Sequence, residues 1–226
     1  MTAIIDSILS FFSLVGVLAG GALGLEQTAF MTAASGRAAV GAALFIAFLS
    51  GVSEMIGQSI VLVINRVPVW RFLASLVFTG VIYLVAALAW GASVLVAAPF
   101  FRAEIIEAIG YGGLFAVIAM SFAPRLLGVL VIAPYFGIAL GQMLDAWVMA
   151  AVIFGLHAAT GLPIEAAALC GVLGWSASFV IRALLGRFLR TPLRALRLAV
   201  SGSPLELTPQ QFARQFVERA REGFRP

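Results

Sequence analysis

Lysine is absent, cysteine and histidine occur once each, and charged side chains make up only 11% of the 226 residues. Each shortage closes off a class of protein. With Cys170 alone, no disulfide can form within the chain. Cys170 and His157 together are too few soft ligands for a Cys/His metal centre. All fourteen basic residues are arginine, which reads as base composition rather than as a functional choice. Segments of about ten residues with strict in–out alternation are missing, so a transmembrane β-barrel is excluded. The chain also lacks H-E-x-x-H, G-x-S-x-G and P-loop motifs, so no enzymatic activity, cofactor or metal is expected. Nothing beyond the arginines speaks for nucleic acid.

What is abundant is hydrocarbon. Apolar residues make up 62% of the chain and the mean hydropathy is +1.10. A water-soluble globule of this size could not clothe its surface with so few polar groups. The apolar residues come in long runs, which predicts an all-α, polytopic helical membrane bundle. Spans are expected at about 38–64, 72–98, 111–133, 138–157 and 164–185. Each is about 20 residues or more, enough to cross a hydrocarbon core of roughly 30 Å. The first run, IIDSILSFFSLVGVLAGGALGL, contains Asp6 and has no basic flank before it. It is expected to be a weak additional span or an interfacial helix, not a cleaved signal peptide. EQTAFMTAASGR (26–37) reads as a polar break, and FRAEIIEAIG (101–110) as a short helix lying on the surface. Trp70 and Trp90 are candidate interface anchors. Pro124, Pro134 and Pro163 read as kink, turn and helix start.

Arginine counting sets an expected orientation. The 65–71 link and the C-terminal segment hold Arg66, Arg71, Arg187, Arg190, Arg194 and Arg197. The opposite side has Arg37 and Arg102, offset by Glu104, Glu107 and Glu165. The arginine-rich side is therefore expected to be cytoplasmic. Residues 1–37 form an apolar helix and link, 38–186 the bundle, and 187–226 the tail. In the tail, Arg187, Arg190, Arg194 and Arg197 recur at intervals of three, four and three residues. That pattern suits an interfacial helix on anionic lipid. Further on, Thr208, Pro209 and Gln211 make a helix start, and Phe212, Phe216 and Phe224 share the face of an amphipathic helix able to meet a partner.

Several ionisable residues fall inside the spans. Arg125 is nine residues before Pro134, and Asp145 is eight after Gly137. At about 1.5 Å per residue, both sit roughly 12–14 Å from the PYFG turn between their helices. A charge at mid-bilayer costs at least about 2.5 kcal/mol, so the two are expected to pair across the hairpin. Glu54 and Gln58 lie one turn apart on one helix face. Glu54 either hydrogen-bonds Ser50, Ser53 or a neighbouring helix, or joins Arg125 and Asp145 in a polar cavity for an ion or small solute. His157, at a span end, is expected at the interface.

The segment from about Arg102 to Leu185 resembles the Yip domain family of polytopic membrane proteins. The resemblance rests on an ordered pattern. RAEIIEAIGYG leads into a span with FAPRLLG, then the turn APYFG, then LDAWVMAAVIFGLHAATGLPIEAA, and last ALCGVLGW. IGQSIVLVINRV adds a likeness to the form this family takes in photosynthetic bacteria. The resemblance implies a five-span bundle without established enzymatic activity, in a bacterial inner or photosynthetic membrane. It supplies no catalytic residues. The basic C-terminal tail departs from the eukaryotic arrangement, in which the long soluble part precedes the spans, so the small-GTPase association of eukaryotic members is not carried over. The expected function is that of a non-enzymatic scaffold, adaptor or accessory subunit. Its partners would be anionic lipids, a further membrane protein, or a second copy of the chain. The alternative is a small transporter or channel using Glu54, Arg125 and Asp145.

Overall fold

Long apolar runs fold as helices because a helix satisfies its own backbone, and the described residues do this almost throughout. The computed structural model describes residues 2–58, 69–101, 105–132 and 137–176. Helix α1 is Thr2–Leu23, α2 is Gln27–Ala34 and α3 is Arg37–Gln58. Helix α4, Val69–Ala97, ends in a 3-10 turn, Ala98–Phe101. Helix α5, Ile105–Met120, leads to a 3-10 segment, Ala123–Ile132, and then α6, Gly137–Thr160. An apolar helix α7, Ile164–Ser176, follows. No strand occurs among the described residues.

Among the described residues, five stretches are long and apolar enough to cross a membrane: Ile4–Leu23, Arg37–Gly57, Phe72–Ala97, Ile105–Leu130 and Gly137–Thr160. The first apolar run has span length, one of its two expected forms, and of the expected last span the described part is Ile164–Ser176. The outward faces are apolar. On α4, Val69, Leu73, Val77, Val81 and Val85 form an exposed stripe one turn apart.

Helix α3 is the axis of the bundle, packed against α1, α4, α5 and the 3-10 segment. Its Ala42, Ala43, Ile46 and Ala47 are fully buried. Small residues let neighbouring backbones approach closely without a side chain between them. A Cβ on Gly51 would lie 2.5 Å from the carbonyl oxygen of Thr79 and 2.9 Å from Cα of Gly80 on α4. Along α1, Phe11 meets Phe45 of α3 at 5.7 Å between ring centres. Helix α1 therefore shares its core with the rest of the bundle rather than forming a separate unit.

Two expectations need correction. Residues 26–37 are not a polar link, since most of the stretch forms α2, with Ala29, Phe30 and Ala33 buried. Phe30 is fully buried, and its ring sits 5.8 Å from that of Phe154 on α6. The polar letters around it mask one large apolar plug. Nor is the expected surface helix at 101–110 separate from the bundle. Ile105 is buried at 1% exposure, and the helix runs to Met120 across a re-aimed backbone at Gly110 (φ 68°, ψ 173°). The positive φ suits glycine, which carries no Cβ to clash.

Helix α5 ends at Met120 for a covalent reason. In a continuing α-helix the nitrogen of residue 124 would donate to the carbonyl of residue 120, and Pro124 has no N–H. The chain tightens instead, with Phe122 N donating to Ala119 O at 3.2 Å and Arg125 N to Phe122 O at 2.9 Å. The third expected span is thus half α-helix and half 3-10 segment. Helix α6 closes on Gly161 (φ 73°), whose N–H donates to His157 O at 2.9 Å. His157 Nδ1 donates to Leu162 O at 2.5 Å, so the ring staples that turn.

Phe30 seats against Gly155 of α6, where an added Cβ would lie 2.6 Å from the ring. Phe30→Ala should destabilise by about 3–5 kcal/mol through an unfilled cavity. Gly155→Ala should cost about 1–3 kcal/mol by overpacking. The double variant should melt above Phe30→Ala in detergent, since the new methyl enters vacated space. Additive losses would show that the plug and the glycine are not coupled.

Candidate functional site

The 3-10 segment has backbone groups that an α-helix would have paired internally, and α3 supplies partners for them. Ser50, Ser53, Glu54 and Gly57 recur at i, i+3, i+4 and i+7, a single helix face. The fully buried Ser50 hydroxyl lies 2.8 Å from both Ile46 O and Phe122 O, able to donate to either. Ser53 donates to Leu126 O at 2.6 Å and accepts from Val129 N at 3.1 Å. These serines therefore bond the neighbouring backbone, not Glu54.

Glu54 is aimed at Arg125 instead. Arg125 Nη1 donates to Glu54 Oε2 at 2.8 Å, and both side chains are only 12% exposed. The other terminal nitrogen of the guanidinium, Nη2, donates to Asp145 Oδ1 on α6. Asp145 is 66% exposed. One arginine thus ties α3, the 3-10 segment and α6 together. The approach depends on Gly128, where a Cβ would come within 2.9 Å of Glu54 Oε2 and 3.1 Å of Glu54 Cα.

Of the residues singled out in the sequence, Glu54, Arg125 and Asp145 come together. Gln58 is the last residue of α3 and its side chain lies outside the described set. Arg187, Arg190, Arg194, Arg197, Phe212, Phe216 and Phe224 also lie outside the described residues. Among the described residues, no three His, Cys, Asp or Glu side chains converge as a metal site.

Beside the bridge is a cleft of about 500 Å³, whose aromatic lining sequence reasoning missed. Arg125 and Asp145 line it, together with Tyr83 and Trp90 of α4, Phe122, and Trp175 of α7. Phe122 receives Tyr83 and Trp90 edge-on, at 6.1 and 6.0 Å between ring centres. Trp90 was expected as an interface anchor. It is 4% exposed, and its indole N–H donates to Gly171 O at 3.1 Å, so it docks α7 on α4. Nothing in the spacing of aromatics spread over α4, the turn after α5, and α7 announces such a cleft.

Arg125→Met should destabilise by about 3–5 kcal/mol, because Glu54 is left as a buried charge without its cation. Asp145→Asn should cost much less, since that carboxylate is largely exposed. Adding Glu54→Gln to Arg125→Met should recover much of the loss. Thermal melts of the wild type, these three variants and the single Glu54→Gln in one detergent give the comparison, and strict additivity of Arg125→Met and Glu54→Gln would count against a coupled bridge.

Compared with known proteins, the chain matches no family model, no curated protein and no solved structure.

Proposed function

We propose that the chain is an integral membrane protein that works without catalysis, as a scaffold, adaptor or accessory subunit organising other membrane components. The observation that carries this reading is the use to which the interior charges are put. Arg125 is engaged by Glu54 and Asp145 across three elements. Charges placed in hydrocarbon are costly and call for partners, and here they fasten helices to one another. A carrier that moved protons or ions on these groups would have to break the bridge in every cycle.

In this reading the five long apolar helices and the 164–185 run, six crossings in all, lie in a bacterial inner or photosynthetic membrane, with outward valine and leucine faces toward lipid. The arginine-rich residues 187–226 lie on the cytoplasmic side, where Arg187, Arg190, Arg194 and Arg197 meet anionic headgroups. Phe212, Phe216 and Phe224 offer apolar anchors to a membrane-protein partner or to a second copy. A Yip-like bundle remains part of the proposal on the strength of the sequence pattern alone.

Orientation and the tail are open to direct tests. A cysteine placed at Val69, in a Cys170→Ala background, should resist impermeant maleimide in intact cells and label after permeabilisation. Labelling from outside would invert the orientation. Deleting residues 202–226 should leave a folded, inserted bundle that loses its co-purifying protein partner. Retention of every partner would move the interaction surface to the spans. Proton or ion flux in liposomes that disappears with Glu54→Gln would replace the scaffold reading with a transporter.

A further inference from the structure

The cleft beside the bridge has features that a structural salt bridge does not require. We propose that it binds a lipophilic organic cation, a diffuse positive charge carried on aromatic or aliphatic hydrocarbon. The inference stands apart from the scaffold reading, because it concerns occupancy of the cleft and not what the bundle joins.

Size comes first. About 500 Å³ falls within the range of small-molecule sites, roughly 300–1,000 Å³. The lining is mainly apolar and aromatic, with polar groups at one place. Tyr83, Trp90, Phe122 and Trp175 line it with rings, Trp175 being the most open at 44% exposure and Trp90 and Phe122 largely covered, and ring faces attract cations through their quadrupole. Trp90 has its N–H committed to Gly171 O, so what it adds to the cleft is ring surface rather than a donor. A ligand with many hydrogen-bonding groups would go unsatisfied here.

Charge decides the sign. Arg125 lines the cleft, but two of its nitrogens are covered by Glu54 and Asp145. With both carboxylates ionised, the described cluster carries one more negative than positive charge. The excess is asymmetrically placed: Glu54 is held behind the arginine at 12% exposure, whereas Asp145 lines the cleft at 66%. An incoming anion would meet the Asp145 carboxylate, and a cation would be drawn to it. Interactions of this kind strengthen as water is excluded.

Depth selects the type of cation. Tyr83 stands at the centre of α4, fourteen residues from Val69 and fourteen from Ala97. That is roughly 21 Å from either end of the helix. A compact, strongly hydrated ammonium would lose too much hydration so far in, and a phospholipid headgroup belongs nearer the helix ends. A cation whose charge is spread over hydrocarbon loses little.

Tetraphenylphosphonium is a suitable probe, since its charge is permanent and independent of pH. Tetraphenylborate is nearly the same size and shape with opposite charge. The full-length protein in uncharged maltoside micelles should bind labelled tetraphenylphosphonium saturably, at about one per chain, whereas labelled tetraphenylborate, measured in a separate sample because the two ions pair and precipitate, should show no such binding. Asp145→Asn should weaken binding about tenfold, and Trp175→Ala about three- to tenfold. Glu165→Gln removes an exposed acid that is not among the cleft residues, and it should bind like the wild type. If Asp145→Asn fails to elute as a folded species, Trp175→Ala decides the matter. Absence of saturable binding, equal binding of the borate, an equal loss with Glu165→Gln, or wild-type affinity in folded Asp145→Asn and Trp175→Ala would each overturn the proposal.

Discussion

The guanidinium of Arg125, reaching Glu54 on one side and Asp145 on the other, stands at the point where three elements meet. Its position follows from its neighbour. Pro124 cannot continue the helix that ends at Met120, so the chain tightens into a 3-10 segment and presents Arg125 toward α3 and α6. Inside a bilayer no water is at hand to satisfy irregular backbone, which is tolerated only where protein covers it. The covering is provided by one face of α3. Ser50 and Ser53 bond backbone of Phe122, Leu126 and Val129, and Glu54 takes the arginine. The helix break and the interior charges are therefore one device, each making the other tolerable.

Close packing supports that device. Gly51 lets α3 approach α4, and Gly128 lets the 3-10 segment approach Glu54. In hydrocarbon the drive to bury apolar surface is weak, so association rests on close contact and interhelical hydrogen bonds. Elsewhere in the bundle the same logic puts Phe30 against the bare backbone of Gly155 and sends the Trp90 indole to Gly171. The cleft lies where the aromatic residues of α4 and α7 stop short of filling the space beside Asp145.

Legibility of the site in the sequence followed chain distance. Arg125 and Asp145 are twenty residues apart across a short turn, so depth counting alone pointed to their meeting. Glu54 is seventy-one residues from Arg125, and no local rule distinguishes that partner from Ser50 or Ser53 next to it. The serines looked like partners for the acid because they share its face. Their backbone acceptors became visible only with the 3-10 segment in place. Trp90 was misread for a similar reason, since tryptophan at a span suits an interface unless another helix offers a carbonyl.

Composition by itself determined that the chain is built of long apolar helices, because runs of about twenty hydrocarbon-rich residues have few other ways to satisfy their backbone. Pro124 by itself determined that a helix must be disturbed near Arg125, because the missing N–H is a covalent fact. Tertiary structure decided that α2 carries a buried plug, Phe30, instead of being a polar link, since burial depends on what packs over Phe30 and not on the letters beside it. It also decided that three charges, rather than two, share one bridge, and that two of them, Arg125 and Asp145, border an aromatic cleft. Those residues come from α3, α4, the 3-10 segment, α6 and α7, and only the packing of the helices sets the distances between them.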